Sequence, residues 1–133
     1  MIRQFIYLPA YRWMIIVYYW AGRKDADEIL QTLQRFACSD ETLMSAERNL
    51  RGKVMDTGLT YTNDSKRATV MVISESSSPE EFWNTMDHEK GHAVQHIGSA
   101  LGLDYMGEAQ QYLAGAIAKE MHPVARQFIC EGC

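Results

Sequence analysis

No stretch of this chain is both long and apolar enough to cross a bilayer as a helix. The longest apolar run, Trp13 to Ala21, falls well short of the roughly 20 residues that a spanning helix needs. It is a poor export signal too, because Pro9 and Arg12 precede it, aromatics crowd it, and Ala21-Gly22-Arg23-Lys24 makes a poor cleavage site. A block of Lys and Arg is also lacking and the net charge is −4, which argues against nucleic acid as the main partner. Cysteine is scarce and odd in number, at Cys38, Cys130 and Cys133, which fits a reduced, cytoplasmic protein better than a disulfide scaffold. Internal repeats and low-complexity linkers are absent. What remains is a chain of 133 residues, 47% hydrophobic and 23% charged, with the size and balance of one soluble domain over 1–133 and no membrane partner.

Ile2 to Leu8 and Tyr11 to Trp20 are rich in β-branched and aromatic residues and are broken by Pro9-Ala10, so they read as the strands of a hairpin. From Asp25 the period becomes helical, with Ile29, Leu30, Leu33, Phe36 and Ala37 on one stripe. Ser39 caps a second helix carrying Leu43, Ala46 and Leu50 and ending near Gly52, and the two should pack as a pair. A second hairpin is expected from Leu59-Thr60-Tyr61-Thr62 and Ala68 to Ile73 around the turn Asn63-Asp64-Ser65-Lys66. Ser78-Pro79-Glu80-Glu81 starts a helix whose stripe is Phe82, Met86, Ala93, Val94, Ile97 and Leu101. Glu108 opens the last one, with Ala109, Tyr112, Leu113, Ala116 and Ile117 on one face, and it should stop before Pro123. The fold class expected is α+β.

The third of these helices carries the chemistry. His88-Glu89-Lys90-Gly91-His92 sets two imidazoles one turn apart on the same face, so that both can close on one Zn²⁺ while the Glu89 carboxylate reaches a metal-bound water as general base. The motif falls in mid-helix, and small Gly91 leaves the backbone beside the metal unobstructed. Glu108, sixteen residues after His92 at the start of the next helix, is available as a third ligand if the helix pair is antiparallel; Asp104 is the alternative. Two His and one Glu leave a fourth position open for water, the catalytic form of a zinc site. His96 continues the series, yet it stands eight residues from His88, about 12 Å along the helix, too far to share an ion with it. It reads as a cleft residue or a helix-packing histidine. Tyr112 reads as core or as an oxyanion donor. Cys130-Glu131-Gly132-Cys133 has the spacing of half a zinc knuckle but lacks a second pair. The aromatics Trp13, Tyr18, Tyr19 and Trp20 suit strand packing or an oligomer interface.

These residues resemble the zincin metallopeptidases, in the gluzincin arrangement of HExxH followed by a Glu on a later helix, here Gly107-Glu108-Ala109-Gln110-Gln111-Tyr112-Leu113-Ala114-Gly115. Asn84-Thr85-Met86-Asp87-His88-Glu89 also looks like the helix of small zincin-like proteins of gut bacteria and their phages, in which a β-hairpin precedes an Asn-Thr-x-x-His-Glu helix. The resemblance spans roughly Thr57 to Met121, about half the chain. It departs from the large gluzincins in its shorter linker to Glu108 and in Lys90, a cation inside the motif. The metzincin pattern is not met, since Gln95 and Gly98 stand where Gly and His would be required. The resemblance implies His88, His92 and Glu108 as ligands of Zn²⁺, Glu89 as catalytic base, and a peptide or protein as substrate. The rival expectation is a non-catalytic, metal-stabilised module of a mobile element or phage.

Overall fold

The computed structural model describes residues 1–52 and 55–130. Strands β1 (Ile2–Leu8) and β2 (Trp13–Ala21) form the first hairpin, and β3 (Gly58–Asn63) and β4 (Ala68–Ser74) form the second. Both lie in one four-stranded sheet of order β1-β2-β4-β3, antiparallel within each hairpin and parallel where β2 meets β4. The inner strands explain their own composition: nearly every residue of β2 and β4 is buried, so both faces are covered and the runs are apolar without alternation. Trp13, Tyr18 and Tyr19 are interior, which assigns most of the aromatic cluster to strand packing.

Helices α1 (Ala26–Arg35) and α2 (Asp40–Gly52) cover one face of the sheet, on Ile16, Tyr18, Val70 and Val72. Helices α3 (Pro79–Ala100) and α4 (Glu108–Ile129) cover the other, on Ile15, Val17, Met71 and Ile73. The architecture is α+β, with helices on both faces of a mixed sheet. The first helix stops at Arg35, before the last two residues of the stripe, because Ala37 takes a left-handed φ of 54°. The freed Phe36 carbonyl accepts from Asn63 Nδ2 at 2.8 Å. No helix among the described residues is long and apolar enough to cross a membrane.

A second boundary differs from the sequence expectation. Helix α4 runs through Pro123 to Ile129, although proline removes a backbone donor and crowds the preceding turn. Burial of the turns on either side prevails: Met121 and Ala125 are in the core, and Phe128 stacks on Phe82 with centroids 4.9 Å apart and on Trp20 at 5.6 Å. Pro123 itself is exposed. Pro123→Ala restores the missing donor, and the protein is expected to gain about 1–3 kcal/mol in urea unfolding. A loss of stability would mean instead that the proline is needed to seat Phe128.

Candidate metal centre

Helix α3 is well specified where it begins. Ser78 Oγ accepts from the Glu81 amide at 3.1 Å, and Pro79 occupies the first turn, where its missing donor is not needed. The 22-residue helix lies across the sheet, so His88, Glu89 and His92 are held far from either frayed end. Glu89 faces inward and is 5% exposed. Its Oε1 accepts from Thr60 Oγ1 of β3 at 3.0 Å, and the same hydroxyl lies 3.2 Å from the Glu89 carbonyl.

His88 and His92 stand at the open side of the helix beside this carboxylate. Their Nε2 atoms are 3.1 Å apart, and a donor atom from each of His88, Glu89 and His92 lies within 4.8 Å of the others. Two imidazole nitrogens at about 2.05 Å from one tetrahedral Zn²⁺ would be roughly 3.3 Å apart, so the two rings are already placed for a shared ion. Imidazole nitrogen and carboxylate oxygen are the donor types that zinc takes. Counting Glu89, the three donors are of the kinds that could hold a metal ion; the two imidazoles alone are one short of the three protein ligands usual at a catalytic zinc.

The structure does not bring Glu108 to this group. Helix α3 continues eight residues beyond His92 before the turn to α4, about 12 Å of rise, and Glu108 begins α4 at that far end. The flank is wrong as well. Helix α4 packs beside Gly98, where an added Cβ would lie 2.4 Å from Gln110 Oε1. At about 100° per residue, Gly98 is some 120° around the helix from His92. Asp104 sits in the same distant turn, accepting from the Met106 amide at 3.0 Å. Tyr112 is 69% exposed and belongs to α4, so it is not core.

An added Cβ on Gly91 would meet nothing within 4 Å, so nothing packs there that requires a glycine. The glycine that matters is Gly58 of β3: its Cβ would lie 2.5 Å from Glu89 Cγ and 2.8 Å from the Val72 carbonyl oxygen. The Lys90 ammonium pairs with Asp87 at 3.3 Å, on the flank about 160° around the helix from His92. Of the CxxC segment, residues 131–133 lie outside the described residues.

Comparison of the chain with protein-family models, curated proteins and solved structures finds no match. What the site can do follows from its own donors and surroundings. A groove of about 250 Å³ beside it is lined by Asp56, Thr57, Gly58, Asn84 and Thr85 together with His88 and Glu89. A second, of about 370 Å³, continues along β3 between Thr60, Thr62, Asp64, Gln95, His96 and Ser99. A larger cavity, about 660 Å³, lies between the start of α3 and the end of α4 and contains none of the three motif residues. Proximity to the donors outweighs volume here.

His96 borders the second groove, and burial pushes its pKa below the usual 6.5, with repulsion from His92 adding to the shift and Asp64 opposing it. A histidine with a lowered folded pKa favours the fold while neutral. That contribution is intact above the unfolded value and is lost as pH falls from about 6.5 through the lowered folded value. Urea unfolding at pH 7, 6 and 5 should therefore show a shallower acid loss of stability in His96→Gln than in the wild type. Parallel profiles would remove His96 as a source of acid sensitivity.

Proposed function

We propose that the protein is a zinc-dependent hydrolase of peptide bonds, with His88 and His92 holding the ion and Glu89 handling the proton. The observation that carries this reading is the convergence of the two Nε2 atoms at 3.1 Å beside a buried carboxylate. When bound, Zn²⁺ supplies a water of pKa lowered toward neutrality and polarises a carbonyl. Glu89 would take up a proton at the open side of the site and release it to the leaving amine. Thr60 orients the carboxylate by donating to Oε1, and the packing of Gly58 against Glu89 Cγ limits its movement.

An extended peptide suits the surroundings. Strand β3 is the outer strand on this side of the sheet, and the two grooves follow it on either side of the histidines. An outer strand offers unpaired backbone groups to a substrate in β conformation. A second reading keeps the ion for folding alone. It is favoured by the inclusion of Glu89 in the 4.8 Å donor group, which would make the carboxylate a ligand instead of a base.

Elemental mass spectrometry of protein purified without a histidine tag is expected to find about one zinc per chain, retained in Glu108→Ala and lost in His92→Ala. Zinc-loaded protein should cut a mixed peptide library, and chelation should stop it. Absence of zinc after reconstitution would sink the proposal, and stoichiometric zinc without cleavage would leave the structural reading.

A further inference from the structure

A line of hydrogen bonds runs from the core of the sheet to the edge of the second groove. Trp13 Nε1 donates to Thr69 Oγ1 at 3.0 Å, Thr69 Oγ1 is 2.9 Å from Thr62 Oγ1, and Thr62 Oγ1 is 3.0 Å from His96 Nδ1. The first member fixes one role, and satisfaction of the buried Thr69 hydroxyl fixes the next. An indole N–H can only donate, so Thr69 accepts there. The other side-chain partner of Thr69 is Thr62, so the Thr69 proton goes to Thr62. Thr62 then has its own proton free, and giving it to Nδ1 of His96 is the arrangement in which every hydroxyl of the line donates within it. A nitrogen that accepts carries no proton, so the neutral ring bears its hydrogen on Nε2. That Nε2 makes no hydrogen bond among the described residues, and His96 lines the groove next to the candidate centre, with its ring centroid 6.1 Å from that of His92.

We propose that the Trp13–Thr69–Thr62 relay fixes His96 as a neutral N–H donor, and that this donor binds the carbonyl oxygen of a substrate acyl group held at His88 and His92. The donor role rests on the metal-hydrolase reading above; the relay does not. A donor whose orientation is set before the substrate arrives need not be reorganised as charge develops on the carbonyl oxygen. The relay also gives partners to Thr62 and Thr69, two hydroxyls on the face of the sheet beneath α3. Thr69 is 1% exposed, and a buried hydroxyl without a partner would be costly. The geometry makes His96 a ligand-binding group in its own right, one helical turn beyond the second metal-facing histidine.

The test has a metal-free arm and a metal-loaded arm. Long-range ¹H–¹⁵N correlation of histidine-labelled apo protein at pH 8, with His96→Ala used for assignment, should show His96 with a pyridine-like Nδ1 and a protonated Nε2. In Thr62→Val, which removes the hydroxyl at constant shape, the two tautomers should mix. A protonated Nδ1 in the wild type, or a Thr62→Val spectrum identical to it, would overturn the relay. In the second arm, acetohydroxamate is titrated into zinc-loaded protein, its carbonyl oxygen standing in for the scissile one. His96→Ala should hold the same zinc but bind this probe about tenfold more weakly, the effect of one lost hydrogen bond, and Thr62→Val should fall between. Equal affinity in all three would overturn the donor role while leaving the metal site in place. A wild type that binds no zinc would overturn the donor role together with the reading it rests on, and the tautomer result would still decide the relay.

Discussion

Glu89→Gln is expected to fold, to keep its zinc, and to lose peptide hydrolysis by about 100- to 10,000-fold, the range associated with removing a positioned general base. The fold should survive because glutamine has the same shape. Its amide oxygen can accept from Thr60 Oγ1 as the carboxylate does at 3.0 Å, and its methylenes pass Gly58 in the same way. Zinc should survive because the two Nε2 atoms are untouched. What the amide cannot do is take a proton from water at neutral pH. Loss of zinc from this variant would make Glu89 a ligand and the site structural. Full hydrolytic activity with zinc in place would sink the mechanism, since no other carboxylate is in the donor group among the described residues.

The parts of this site that were legible in the sequence are those set by helical period. His88, Glu89 and His92 lie within one turn and a half of a helix whose start is marked by Ser78 and Pro79, so their grouping needs no knowledge of the rest of the fold. The third ligand is a different kind of inference. Bringing Glu108 to the histidines requires α3 to end soon after His92 and α4 to pack on the histidine flank. Instead α3 continues to Ala100, and Gly98, the small residue that admits Gln110, draws α4 to the other side. Spacing along the chain reports neither fact.

Thr60 and Gly58 were missed for a related reason. They meet Glu89 from 29 and 31 positions away, across a hairpin whose register had to be known first. A glycine opening a strand-like run is the one local hint of close approach. The sheet shows the same divide. Each hairpin was readable from β-branched and aromatic content and from the residues that break or turn the chain, but the parallel pairing of β2 with β4 joins segments some 54 residues apart, Met14 to Ala68. Their continuous apolar character is explained by burial on both faces, and it does not say which neighbour lies there.

Gly58→Ala is expected to be the most damaging single methyl addition at the site. The new Cβ would stand 2.5 Å from Glu89 Cγ, 2.8 Å from its Cδ and 2.8 Å from the Val72 carbonyl oxygen. The first two belong to a side chain that could swing away, but the third is backbone of the inner strand β4, pinned between β2 and β3. Relief must therefore come from β3 moving off the sheet or Glu89 leaving its place, and either breaks the bond from Thr60. Overpacking of this kind costs about 1–3 kcal/mol, and the displaced carboxylate should lower turnover at the proposed site by far more than the stability change accounts for. Gly91→Ala is the control. It meets nothing within 4 Å and replaces a mid-helix glycine, so it should stabilise α3 by about 1 kcal/mol and leave zinc binding and cleavage unchanged. If the two alanines behave alike in urea unfolding and in peptide cleavage, the close approach of β3 to Glu89 is not what holds the carboxylate. If they diverge as described, the outer strand is part of the site, and the distance between Gly58 and Glu89 is a determinant of its chemistry.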